Sequence, residues 1–124
     1  MNADAMQEEL KELFEQFTSR LPERLNEIVL LWRSSKACYT PDSLTELSHL
    51  THKLAGSTGT YGYDSLESIL SKLECDVNGV LADKTAFSSF SSAIDQGVAL
   101  LEQGFNVEAS KKAWALFLER NSKN

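Results

Sequence analysis

The sequence predicts an all-α protein, an up-and-down antiparallel four-helix bundle with additional N-terminal and C-terminal helices. Three observations carry that prediction. Apolar residues return about every three or four positions along nearly the whole chain, strand-like alternation is missing, and only Pro22 and Pro41 interrupt the pattern. With 124 residues and 42% apolar content, the chain is expected to form one domain over 1–124. A net charge of −6 and a pI near 4.9 argue against nucleic acid or an anionic membrane as the partner. No apolar run approaches the roughly 20 residues of a membrane span, and the acidic start does not read as a signal peptide, so a cytoplasmic location is expected. Cys38 and Cys75 form neither a CxxC nor a metal-ligand spacing, and are expected as reduced thiols.

Taken in order, a first helix capped by Asn2 or Asp4 is expected to about Ser19, with Leu10, Leu13, Phe14 and Phe17 on its apolar side. Glu8, Glu9, Glu12 and Glu15 make its outer face acidic, as a solvated face should be. Pro22 removes a backbone donor and crowds Thr18, so a break or kink is expected near Arg20–Leu21. A second helix then carries Leu25, Ile28, Val29, Leu31 and Trp32 to about Ser34. Thr40 suits an N-cap and Pro41 the first helical position of a third helix, running to about Thr60. Gly62 and Tyr63 form the next turn. Asp64 and Glu67 read as a capping box for a fourth helix over about 65–81, with Leu66, Ile69, Leu70, Leu73, Val77 and Val80 inward. Asp83 is expected to cap a fifth helix bearing Phe87, Phe90, Ile94, Val98 and Leu101 and ending at Gly104. Asn106 begins a last helix with Ala109, Ala113, Trp114, Phe117 and Leu118.

The third helix breaks a stability rule. At about 100° per residue, Leu44, Leu47, Leu50, Leu54 and Tyr61 gather into a core stripe, and His52 falls roughly 170° from its centre. Around His52 on the wheel lie Thr45, Ser48, Ala55, Gly56 and Gly59, where a solvated face would normally collect Glu, Lys and Arg. Two glycines inside a helix cost about 1 kcal/mol each relative to alanine. Such a patch makes sense where another molecule must press against the backbone beside an imidazole. A surface histidine in a helix that simply packs is the bland alternative. Metal binding by His49 and His52, three residues apart, lacks a third or fourth ligand of fitting spacing, so no metal is expected. Glu74 sits roughly 80° from the fourth helix's core stripe, on a flank from which it could reach a neighbouring helix.

The run His52-Lys53-Leu54-Ala55-Gly56-Ser57, with Gly62 and then Leu73-Glu74, resembles the histidine-phosphotransfer (HPt) domains of two-component phosphorelays. The resemblance extends to length, helix number and the Phe-rich lead-in with Leu21-Pro22. It implies that His52 accepts a phosphoryl group from a receiver aspartate and passes it to another. It also implies response-regulator receiver domains and a hybrid sensor histidine kinase as partners of a monomer. Glu74 matches the position from which the family orients the imidazole; a carboxylate there would accept the Nδ1–H and leave Nε2 free as nucleophile. Gly56, one turn on, would let a receiver's loops approach. Ser57 would either bond back to the Lys53 carbonyl or serve as a small packing residue. Gly59 belongs to the same docking face, and His49 could line its rim. One position departs from the family: Ala55 stands where it usually carries lysine, and Lys53 and Lys72 are the candidate substitutes. There is no Gly-rich phosphate loop and no kinase signature, so the chain is expected to be a relay intermediate without kinase activity. No cofactor of its own is expected; Mg²⁺ would sit on the partner receiver. A helical adaptor that binds receivers or other proteins without carrying phosphate is the alternative.

Overall fold

The computed structural model describes residues 3–38 and 40–122, arranged as five α-helices and one short 3₁₀ turn, with no strand among the described residues. The helices are α1 (Ala3–Ala37), α2 (Pro41–Thr60), α3 (Asp64–Ala82), α4 (Phe87–Gly104) and α5 (Val107–Ser122). Helix α1 packs on α2 and α4, and α3 packs on both of these, closing a four-membered ring of helices, with α5 laid against α1. The predicted bundle is therefore present. Its core holds Leu21, Ile28, Trp32, Leu44, Leu47, Leu66, Leu70, Leu73, Val77 and Ile94, all essentially inaccessible.

The expected break at Pro22 does not occur: the first two predicted helices are one 35-residue helix. A proline inside a helix costs about 3 kcal/mol. Burying a leucine returns about 1.5–3 kcal/mol, and Leu21 and Leu25 flank the proline with 0% and 5% exposure. Phe14 below and Ile28, Val29 and Trp32 above are anchored in the same core, so both halves are tied to one bundle. Of the capping candidates for this helix, Asn2 and the Asp4 side chain lie outside the described residues.

Other helix ends follow the sequence more closely. The Thr40 hydroxyl accepts from the Ser43 amide and Pro41 takes the first helical position. Gly62 turns the chain with φ +84°, a conformation that disfavours side chains, and a β-carbon there would run into the Ala113 carbonyl. The Asn106 side chain accepts from the Ala109 amide at 2.9 Å. The Asp83 carboxylate caps the 3₁₀ turn Lys84–Ala86 rather than α4 itself, and two hydrogen bonds from Thr85 hold its carboxyl below the usual range. The predicted capping box is absent. Asp64 instead receives both arms of the Arg120 guanidinium from α5, at 3.2 and 2.6 Å, and Arg120 also donates to the Gly59 carbonyl at 3.2 Å. The last helix thus ties the end of α2 to the start of α3.

Around that tie, α5 and the lower part of α1 enclose an aromatic cluster. Phe17 stacks on Tyr61 at 4.3 Å and Tyr61 on Phe117 at 5.0 Å, while Phe14 stacks on Tyr63 at 5.8 Å. The Tyr63 hydroxyl is shared between Thr18 and Ser110. At the opposite end, buried Trp32 donates its indole N–H to Asp95 at 2.8 Å, and Lys36 reaches the same carboxylate at 3.0 Å. Partial burial raises the Asp95 carboxyl, but the Trp32 and Lys36 hydrogen bonds and the lysine charge outweigh it and leave its pKa lowered.

Two outcomes are expected. Asp95→Ala should cost about 1–2 kcal/mol at neutral pH by leaving the indole N–H without its acceptor. A carboxyl lowered by folding stabilises above its unfolded pKa of about 3.9, and that contribution fades as pH falls through the folded value. The gap between wild type and variant in chemical denaturation should therefore narrow in acid. Gly62→Ala should destabilise by more than about 1 kcal/mol, seen as a lowered Tm, because both the positive φ and the Ala113 carbonyl oppose a β-carbon.

Candidate functional site

Helix α2 buries two stripes, not one. Leu47 and Leu54 lie on the expected apolar stripe; Ser48, Thr51, Ala55 and Thr58 continue a second, equally buried line that starts at Leu44. Ser48 and Ala55 therefore do not ring the histidine in the open. They belong to a seam against α3, where small side chains let the two helix axes come close. The Ser48 hydroxyl crosses the seam to Asn78 at 2.6 Å. Thr51 and Thr58 turn their hydroxyls back onto the Leu47 and Ala55 carbonyls, so the seam holds no orphaned side-chain hydroxyl.

His52 stands at the outer edge of that seam, its side chain 73% exposed. Glu74 of α3 reaches across and places Oε2 2.9 Å from His52 Nδ1, its own side chain 24% exposed. Leu70, Leu73 and Val77 lock the α3 turn that carries Glu74 into the core. Ser48 with Asn78, His52 with Glu74, and Gly59 with Glu67 are rungs of a single antiparallel register: each step forward on α2 is matched by an equal step back on α3. A carboxylate can only accept, so this contact calls for the proton on Nδ1, and in the neutral ring that leaves the lone pair on Nε2. Chemically, this is an imidazole with a fixed tautomer, an open nucleophilic nitrogen and a negative charge behind it.

The remaining predicted residues divide. Gly56, one turn on, has open space where a β-carbon would stand. Gly59 does not: the Glu67 carboxylate lies over the place a β-carbon would take, so this glycine is half-covered by α3. His49 is exposed one turn before His52. Of the two readings for Ser57, the hydroxyl bonds back to the Lys53 carbonyl, at 3.1 Å. Lys53 is exposed and lines a groove between α1 and α2. Lys72 pairs with Asp76 on the side of α3 that faces α4, and so does not replace the missing lysine. Ala55 is 6% exposed, which leaves the seam room for a methyl group there. Among the described residues no three His, Cys, Asp or Glu side chains gather as a metal site, and Cys38 and Cys75 are free and exposed.

The α1–α2 groove is what the sequence reading missed. Leu13, Phe17, Leu50 and Tyr61 supply its apolar lining, with Arg20, Arg24 and Lys53 along it. Its signal is visible in retrospect: Leu13, Phe17, Arg20 and Arg24 share one face of α1 at helical spacing.

The fold is thus a helical bundle that presents a solvent-facing histidine backed by a carboxylate. The family model of the Hpt domain matches residues 12–104, and the chain belongs to that family, the histidine phosphotransfer carriers of two-component systems. The match spans α1 from its third turn through the end of α4, and so includes His52, Glu74 and the groove. No curated protein and no solved structure gives a significant match. Family membership implies interaction with response-regulator receiver domains. No helix among the described residues is long and apolar enough to cross a membrane.

Gly56→Ala should raise stability by about 0.5–1 kcal/mol in thermal melts, since the β-carbon meets nothing and the helix gains propensity. A fall in Tm would show that the face at Gly56 is more crowded than described.

Proposed function

We propose that this chain relays phosphoryl groups between receiver aspartates by carrying them on His52 Nε2. The observation that carries the reading is the 2.9 Å contact between His52 Nδ1 and Glu74 on a ring that is 73% exposed. A lone pair on Nε2 attacks the phosphorus of a receiver's aspartyl phosphate. The P–N bond forms as the P–O bond to the aspartate breaks, and the electron pair leaves with the regenerated carboxylate. The imidazole gains positive charge in that step, and Glu74 offsets it through the Nδ1–H. A second receiver aspartate then attacks the phosphorus and the sequence runs in reverse. Both directions need little from this chain beyond a held tautomer and an unobstructed approach.

The supporting residues take simple roles. Gly56 keeps the turn beside His52 bare, so the receiver's loops come close enough for in-line transfer; about 1 Å of misplacement can cost about 100-fold. Ser57 hugs the helix backbone, and His49 lies on the rim of the contact. Gly59, under Glu67, lies at the far margin of the docking face. Lys53 is the cation nearest in sequence to the phosphoryl group. Mg²⁺ belongs to the receiver. The chain works as a monomer in the cytoplasm, downstream of a hybrid sensor histidine kinase, and does not phosphorylate itself from ATP.

Incubation with a phosphorylated receiver domain tests this. Label should move to a base-stable, acid-labile bond, and His52→Gln should abolish it. Glu74→Ala should slow transfer by about 10–100-fold while receiver binding is retained. Receiver binding without any transfer of label would overturn the relay and leave an adaptor.

A further inference from the structure

We propose that His49 is the cation that meets the phosphoryl group carried on His52. In its protonated form the His49 ring donates an N–H to a phosphoryl oxygen, so the chain holds its load best below neutral pH. No proton changes hands; it stays on the His49 ring. The proposal rests on the relay reading and adds a charged partner to that same site.

The first observation is an imbalance of charge. A phosphoryl group brings about 1.5 to 2 negative charges near pH 7. Glu74 sits 2.9 Å from Nδ1, so it answers the positive charge that the ring gains and not the phosphoryl oxygens. Acidic residues outnumber lysine and arginine 18 to 12, so the wider field of the chain opposes the load. A cation on the exposed face of α2 is what the loaded state lacks.

The second observation is how few donors that face offers. Thr45, Ser57 and Thr60 turn their hydroxyls back onto the Pro41, Lys53 and Gly56 carbonyls, and the Ser48 hydroxyl goes to Asn78. Lys72 is held by Asp76. Lys53 stands about 100° round the helix from His52, and lines the α1–α2 groove. His49 is exposed and only about 60° round from His52. Among the described residues no acidic side chain pairs with it.

The third is direction. Helical side chains lean toward the N-terminus, so the His52 ring lies over the turn that carries His49 and away from Gly56. Residues three apart on a helix place their β-carbons about 5–6 Å apart, a span that a phosphoryl group and an imidazole close between them. The other titratable groups bordering this face are Glu46 and Lys53 on α2, Glu74 and the Cys75 thiol on α3, and Arg24 and Glu27 on α1. Histidine is the side chain whose charge ordinarily changes between about pH 5 and pH 8. The chain has two, and His52 is the one that carries the load.

The test uses a receiver domain that exchanges label with His52 in the assay above. The equilibrium ratio of label on the chain to label on the receiver is measured at about pH 6 and about pH 8.5 for wild type, His49→Gln and His49→Lys. Circular dichroism checks that the helices persist, and each variant is compared with wild type at the same pH, so that the receiver's own titration cancels. His49→Gln should lower the ratio about threefold or more at the acid pH and change it little at the alkaline one. His49→Lys should match wild type in acid and exceed it in alkali, because lysine keeps its charge across this range. The same loss from His49→Gln at both pH values, with no rescue by lysine, would overturn the assignment while leaving transfer through His52 intact. So would a loss from Lys53→Gln where His49→Gln shows none. Failure of every receiver to label His52 would instead overturn the relay reading beneath it.

Discussion

The close approach of α2 to α3 is the constraint on which the site depends. Four small side chains, Ser48, Thr51, Ala55 and Thr58, take the place of the bulky residues that would hold two helices apart. Because the seam is narrow, a glutamate on α3 spans it with its ordinary side-chain length and meets the imidazole at hydrogen-bond distance. Wider spacing would leave Glu74 in solvent and the histidine free to exchange tautomers. The rungs on either side, Ser48 with Asn78 and Gly59 beneath Glu67, keep α2 from sliding along α3. The chemistry of one exposed ring is thus fixed by packing that the solvent does not see.

This arrangement explains an apparent conflict in α2. A helix with a reactive group on its surface needs an uncluttered outer face, and a helix between two neighbours needs two inward faces. The chain meets both demands by turning Leu50 and Leu54 to the side shared with α1 and small or hydroxylated residues, Ser48 among them, to the side shared with α3. What remains outward is a ridge carrying His49, His52 and Gly56. The open space at Gly56 and the buried methyl of Ala55 are adjacent in sequence yet belong to different surfaces.

Much of the fold was legible in the residues. The bundle, the Thr40–Pro41 helix start, the Gly62 turn and the Asn106 cap follow from local chemistry that acts over a few positions. Two of the failures are cases in which tertiary packing or a distant partner overrode a local preference. Pro22 did not break α1 because Leu21 and Leu25 are pinned by the core on both sides. Asp64 left its capping role for Arg120, which lies 56 positions away. At the site, the exposure of His52 and the reach of Glu74 were readable from helical angles, whereas the second buried stripe was not. Ser48, Thr51, Ala55 and Thr58 look like surface residues by type, and only their regular spacing betrays a partner helix.

His52 occupies a crest with different neighbours on its two slopes: the α3 seam sets its protonation geometry, and the α1 groove lies on the other flank. The two slopes share no side chain. Substitutions along α1 can therefore leave the contact between His52 and Glu74 in place, and changes in the seam can leave the groove lining in place. One helix thus carries two independent borders, and the packing on either can drift while the other keeps its geometry.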